Sequence, residues 1–140
     1  MSDRKPVKVE TRIAAPIEKV WDCWTMPGHI TQWNFATEAW HCPTALNDLR
    51  EGGRFNWRME ARDGSVGFDF VGAYTKVEQN ALIEYMLDDG RNVQIEFNEM
   101  NGSTHVVERF DPEQSNPVDM QRAGWQAILE NFRKYVERKG

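Results

Sequence analysis

Apolar and polar residues alternate over positions 7–14: Val7, Val9, Thr11 and Ile13 share one face, and Lys8, Glu10 and Arg12 take the other. A period of two is that of a half-buried strand. Ala15-Pro16 ends the alternation, and Pro16 stands where a helix begins, at a position that does not need its missing N–H. Beyond it Ile17, Val20, Trp21 and Trp24 recur at spacings of three and four, which predicts a short amphipathic helix. Pro27-Gly28 breaks that run, and a second brief helical turn is expected over 29–33. The stretch 34–46 has the least regular pattern and carries Phe35, Trp40, His41, Cys42 and Pro43.

From there to Phe110 the chain reads as short strands punctuated by turn signals. Strands are expected over 47–50, 54–62, 67–78, 81–87, 91–99 and 103–110. The turns between them include Gly52-Gly53, Asp63-Gly64, Gln79-Asn80, Asp89-Gly90 and Asn101-Gly102. Asp-Gly and Asn-Gly accept positive φ and mark hairpins, and connections this short imply an antiparallel meander. After a polar linker over 111–116, Pro117 opens a long helix that reaches Arg138. Gln121, Gly124, Trp125, Ile128, Leu129, Phe132 and Val136 form its inner stripe, and Arg133, Lys134, Arg138 and Lys139 complement the dipole at its end. The order is β-α-α-β₆-α, an α+β fold in one domain over residues 1–140.

A curved seven-stranded antiparallel sheet needs a cover for its apolar face, and only the last helix is long enough to supply it. Such a sheet wrapped around one helix packs well at one end and poorly at the other. In the late half of the helix Ile128, Phe132 and Val136 are plain core fillers. In the early half Gln121, Gly124 and Trp125 combine an amide, a missing side chain and an indole, a set that dense packing rarely uses. A cavity is expected there.

Strand parity supplies its walls. Phe55, Trp57 and Met59 share a face, opposite the polar Arg54, Asn56, Arg58 and Glu60; Val93, Ile95 and Phe97 share another. Val106, Glu108 and Phe110 also share a face, which turns the Glu108 carboxyl inward, where it needs a partner, a water or a raised pKa. The expected ligand wall is Trp57, Met59, Phe97 and Trp125, with Glu108 and Gln121 orienting a polar end. Trp33 and Trp40, with Phe35, cluster near the expected mouth, where rigid rings cap a ligand or close the core. Asp69, between Phe68 and Phe70, faces away from the rings.

Composition removes several classes of function. The 140 residues are 40% hydrophobic and 28% charged, with 17 basic and 22 acidic residues and a net charge of −5. A mildly acidic chain has no bulk attraction to a nucleic-acid backbone or an anionic membrane. No apolar run is long enough for a membrane span, and residues 1–8 carry no apolar signal core, so a cytoplasmic protein is expected. Two cysteines, Cys23 and Cys42, are too few for a disulfide framework and read as reduced thiols. Six tryptophans, seven phenylalanines and three tyrosines are the unusual feature.

Reactive constellations are sparse. His29, His41, His105, Cys23 and Cys42 show no ligand-pair spacing, so no metal is expected. Adjacent His41-Cys42 is poor geometry for activating a thiol, and Gly52-Gly53 precedes no helix that would cradle a phosphate. No catalytic residue and no cofactor is assigned; acid–base chemistry, if any, would draw on Glu108, Gln121 and His41.

Several stretches carry a family resemblance. These are Ile13-Ala14-Ala15-Pro16-Ile17-Glu18-Lys19-Val20-Trp21, Trp33-Asn34, Asp48-Leu49-Arg50-Glu51-Gly52-Gly53-Arg54-Phe55, Gly72-Ala73-Tyr74 and Gly124-Trp125-Gln126-Ala127-Ile128-Leu129. With the element order, they resemble the helix-grip fold of the START-like (SRPBCC) superfamily, which includes lipid-transfer domains, plant pollen-allergen proteins and aromatic polyketide cyclases. The closer resemblance is to the bacterial branch related to the activator of the heat-shock-protein-ninety ATPase. The resemblance implies a hydrophobic-ligand cavity under the last helix and no particular reaction. A small hydrophobic or aromatic molecule is therefore the expected partner. A cyclase- or dehydratase-like enzyme and a chaperone-associated interaction module are the alternatives.

Overall fold

A computed structural model describes residues 5–139; the polar segment 1–4 lies outside the described residues. The elements run β1 (Val7–Ile13), α1 (Ile17–Thr25), α2 (Pro27–Trp33), β2 (Trp40–Asn47), β3 (Arg54–Ala61), β4 (Gly67–Glu78), β5 (Leu82–Leu87), β6 (Asn92–Met100), β7 (Ser103–Phe110) and α3 (Val118–Arg138). The strands form one antiparallel sheet in the order β1-β7-β6-β5-β4-β3-β2. From β2 to β7 each strand pairs with its sequence neighbour, and β1 crosses to β7 with Val7 opposite Phe110. This is the β-α-α-β₆-α order that the alternation and turn signals predict, and the α+β helix-grip arrangement that the resemblance implies. No described helix is long and apolar enough to cross a membrane.

Turn chemistry sets the register. Asn101 and Gly102, at φ 54° and 84°, make the two-residue turn that places Met100 opposite Ser103. Gly72 serves a different need. A Cβ there would lie 2.5 Å from the Met86 carbonyl oxygen and 2.9 Å from Phe55 Cζ, so the bare backbone makes room for the Phe55 ring.

Two local expectations are corrected. Strand β2 occupies Trp40–Asn47, inside the stretch whose pattern looked irregular, while residues 48–53 form the connection to β3. Pro43 and a register shift between His41 and Thr44 hide its period of two. Pro27-Gly28 opens α2 rather than separating the helices: Pro27 occupies the first turn of α2, and only Met26 stands between α1 and α2.

Helix α3 lies against β1 and the two short helices. Its C-terminal half is densely packed. Phe132 meets Trp24 and Trp33 edge-on at 4.8 and 4.7 Å, and those two indoles lie 5.0 Å apart. Leu129, Val136 and Ile30 are buried around them. Polar groups here are paired: Trp33 Nε1 donates to the Cys23 carbonyl at 2.8 Å, and Asn131 Nδ2 to the Trp33 carbonyl at 2.9 Å. The opposite face of the sheet is polar, with Arg58 bridging Glu60 and Asp69, and Arg54 bridging Asp88.

Candidate functional site

Toward its N-terminus α3 no longer meets a filled core. A partly open cavity of about 230 Å³ lies between it and the sheet. Its walls come from every second residue of neighbouring strands, because alternate side chains of a strand share a face. Trp57 and Met59 of β3 stand opposite Phe70 and Phe68 of β4, in register, and all four line the cavity. Tyr85 of β5 and Glu108 of β7 continue the wall, Trp125 and Ile128 of α3 form the roof, and Trp24, Trp33 and Asn34 close one end. Arg91 and Glu113 also border the adjoining surface grooves, which makes them the rim.

Aromatic stacking holds this wall without filling the space. Trp57 stacks on Phe55 at 4.4 Å and lies nearly parallel to Phe70 at 5.6 Å. Trp125 stacks on Phe110 at 3.9 Å and 9°, which fixes the indole plane of the roof. Tyr85 meets Trp57 edge-on at 6.0 Å. Stacked and edge-on pairs of this kind give rigid apolar surface at little cost in side-chain freedom.

The polar groups are few and incompletely paired. Glu108 is 6% exposed, and among the described residues nothing hydrogen-bonds or ion-pairs its carboxyl. Burial alone pushes its pKa from 4.5 to about 8, so the group is mostly neutral at pH 7. Tyr85, 2% exposed, has its pKa raised well above the ordinary range by burial first and the Glu108 charge next. Trp57 is 5% exposed, and its buried Nε1 has no partner among the described residues. At the rim Arg91 Nε donates to Asp89 at 2.8 Å.

Of the eight expected ligand-wall residues, Trp33, Trp57, Met59, Glu108 and Trp125 come together here. The other three lie elsewhere. Trp40 begins β2 and its ring meets Phe68 at 6.0 Å. Phe97 belongs to the packed end, 5.2 Å from Trp21 and 5.8 Å from Trp24. Gln121 is spent on the loop before α3: its Oε1 accepts from Glu113 N at 2.9 Å, and its Nε2 donates to the Glu113 and Asn116 carbonyls at 3.0 and 2.8 Å. Phe68, Phe70, Tyr85, Ile128 and Arg91 escaped sequence reasoning; counting back from the hairpin turns would have paired Trp57 with Phe70.

Other reactive groups stay apart from the cavity. Cys42 is buried, its Sγ donates to the Thr44 carbonyl at 3.4 Å, and burial pushes the thiol up to about 11, so it stays protonated. His29 bonds Tyr135 at 2.6 Å, His41 faces Glu60 at 3.8 Å, and His105 lies 2.9 Å from Glu10.

Comparison with known proteins agrees with this architecture. The family model described as "Activator of Hsp90 ATPase homolog 1-like protein" matches residues 14–137. The AHSA1-like protein from Aeromonas hydrophila, solved in solution, is 44% identical, with 94% of this chain and 92% of that one covered and a TM-score of 0.86. Chr148 from Cytophaga hutchinsonii, also solved in solution, is 49% identical over 94% of this chain and 92% of that one, at a TM-score of 0.83. Protein NE0264 from Nitrosomonas europaea, at 16% identity, covers 100% of this chain and 99% of its own with a TM-score of 0.85, a likeness of fold. The search of curated proteins finds no match. On the family match and the two solution structures, the chain belongs to the Activator of Hsp90 ATPase homolog 1-like family.

Proposed function

We propose that the chain, acting as one domain, binds a small hydrophobic or aromatic molecule in the cavity between the sheet and α3. The observation that carries this reading is a cavity of about 230 Å³ walled by Trp57, Phe70, Tyr85 and Trp125, larger than the roughly 150 Å³ of apolar space that holds a benzene ring. Supporting it, the outer face of β3 and β4 bears ion pairs rather than an apolar patch, which favours the interior over that face for recognition. Two buried, unpaired cysteines support a reducing compartment such as the cytoplasm.

Native mass spectrometry of freshly purified protein, set against its denatured mass, tests the reading. A retained small molecule is expected, and it should be lost from Ile128→Trp, which fills the space under the helix while the circular-dichroism spectrum stays that of wild type. A clean mass, together with no thermal shift across a panel of bicyclic aromatics, would overturn it.

A further inference from the structure

The unpaired polar groups of the cavity are unequal in what they can accept. Trp57 lines the cavity, and its Nε1–H is buried without a partner among the described residues; it only donates, so an acceptor that reaches it satisfies it. The Tyr85 hydroxyl also donates, and no described residue receives its proton. Glu108 stands near Tyr85 across a single strand: Tyr85 pairs with Val93, Glu108 with Ile95, and these are successive inward positions of β6. The ionisable groups lining the cavity beside Glu108 are Tyr85 of β5, Arg91 of the β5–β6 turn and Glu113 of the loop before α3; β1 offers Val9, and α3 offers Trp125 and Ile128. Arg91, the cation among them, sits at the rim and already holds Asp89.

Resting on the ligand-binding reading above, we propose that this cavity selects uncharged molecules carrying a carbonyl-type hydrogen-bond acceptor, as in a ketone, ester or quinone, on an otherwise apolar frame. The acceptor faces Trp57, Tyr85 and Glu108, while the frame lies among the rings. Among the described lining residues the only cation a buried anion would meet is Arg91 at the rim, whose Nε is already held by Asp89. An entirely apolar molecule would leave all three polar groups unpaired, which costs affinity. Burial keeps Glu108 protonated up to about pH 8, so at neutral pH it has an O–H to donate, which it loses on ionisation.

Calorimetric titration with three probes of similar shape tests this: 2-acetylnaphthalene, 2-isopropylnaphthalene and 2-naphthoate. At pH 6 the ketone is expected to bind about tenfold more tightly than either of the others, the factor for one buried hydrogen bond. From pH 6 to pH 9 its affinity should fall by about tenfold as Glu108 loses its proton. Glu108→Gln, which keeps a donor, should retain the preference and lose the pH dependence; Trp57→Phe should reduce the preference while still binding the hydrocarbon. Equal binding of ketone and hydrocarbon, or tightest binding of naphthoate, would overturn the selectivity and leave the cavity a ligand site. Failure of all three probes, with a clean native mass, would overturn the ligand-binding reading and the selectivity with it.

Discussion

The two halves of α3 cover the same sheet and do opposite things with it. In the C-terminal half Phe132 is wedged between Trp24 and Trp33, and the Trp33 N–H ends on the Cys23 carbonyl. In the N-terminal half Trp125 stacks on Phe110 beside open space, and Trp57 and Glu108 have no partner among the described residues. Both halves are rich in aromatic rings, so aromatic content does not tell a core from a site. What separates them is whether the polar atoms among the rings are satisfied. On the proposed ligand-binding reading, the end that leaves the Trp57 N–H and the Glu108 carboxyl without a partner is the end that meets a molecule from outside the chain.

The largest test of that contrast is Phe132→Ala. Removing a fully buried ring from the packed half should cost about 4 kcal/mol in chemical denaturation. A loss of about 1 kcal/mol or less would mean the packed half is itself loose.

The next effect is on pH. The unfolded chain gives up the Glu108 proton near 4.5, the folded chain only near 8, so folding favours the protonated form between those values. Stability tied to this proton is fully present below about pH 4.5 and is lost as the pH rises through 8. Glu108→Gln has no proton to lose there. Its stability relative to wild type should climb across this window by about 5 kcal/mol and level off above it. A difference that stays constant from pH 5 to pH 9 would show that the carboxyl is already satisfied, which would erase the contrast between the halves. The smallest effect is expected at Gly124. A Cβ at that position meets nothing within 4 Å, so Gly124→Ala should stabilise the helix by about 1 kcal/mol through its higher helix propensity. Destabilisation would show that the N-terminal half of α3 is more crowded than the structure has it.

Much of this architecture is legible in the chain, for reasons that differ by region. Strands β3, β5 and β6 declare themselves because each alternates and runs into a turn with a positive-φ residue, at Gly64, Gly90 and Asn101. β2 does not, because Pro43 and its register shift break the alternation that marks a strand. For the site, parity turns Trp57, Met59 and Glu108 inward and helical spacing adds Trp125, both local properties of sequence. Position along the sheet is not local. Phe97 obeys the same parity as Ile95, yet lies at the end covered by α1, so it packs against Trp21 instead of facing the cavity. Gln121 sits on the correct stripe of α3, but a loop whose path the pattern does not reveal takes all its hydrogen bonds.

The most direct measurement is a ¹H–¹⁵N spectrum of the indole N–H groups during titration with 2-acetylnaphthalene. The Trp57 resonance should move downfield and saturate as its free N–H gains an acceptor, while that of Trp33, held by the Cys23 carbonyl, keeps its bonded position. A Trp57 signal that stays in place while the probe binds, or a spectrum with no saturable change at all, would contradict the account.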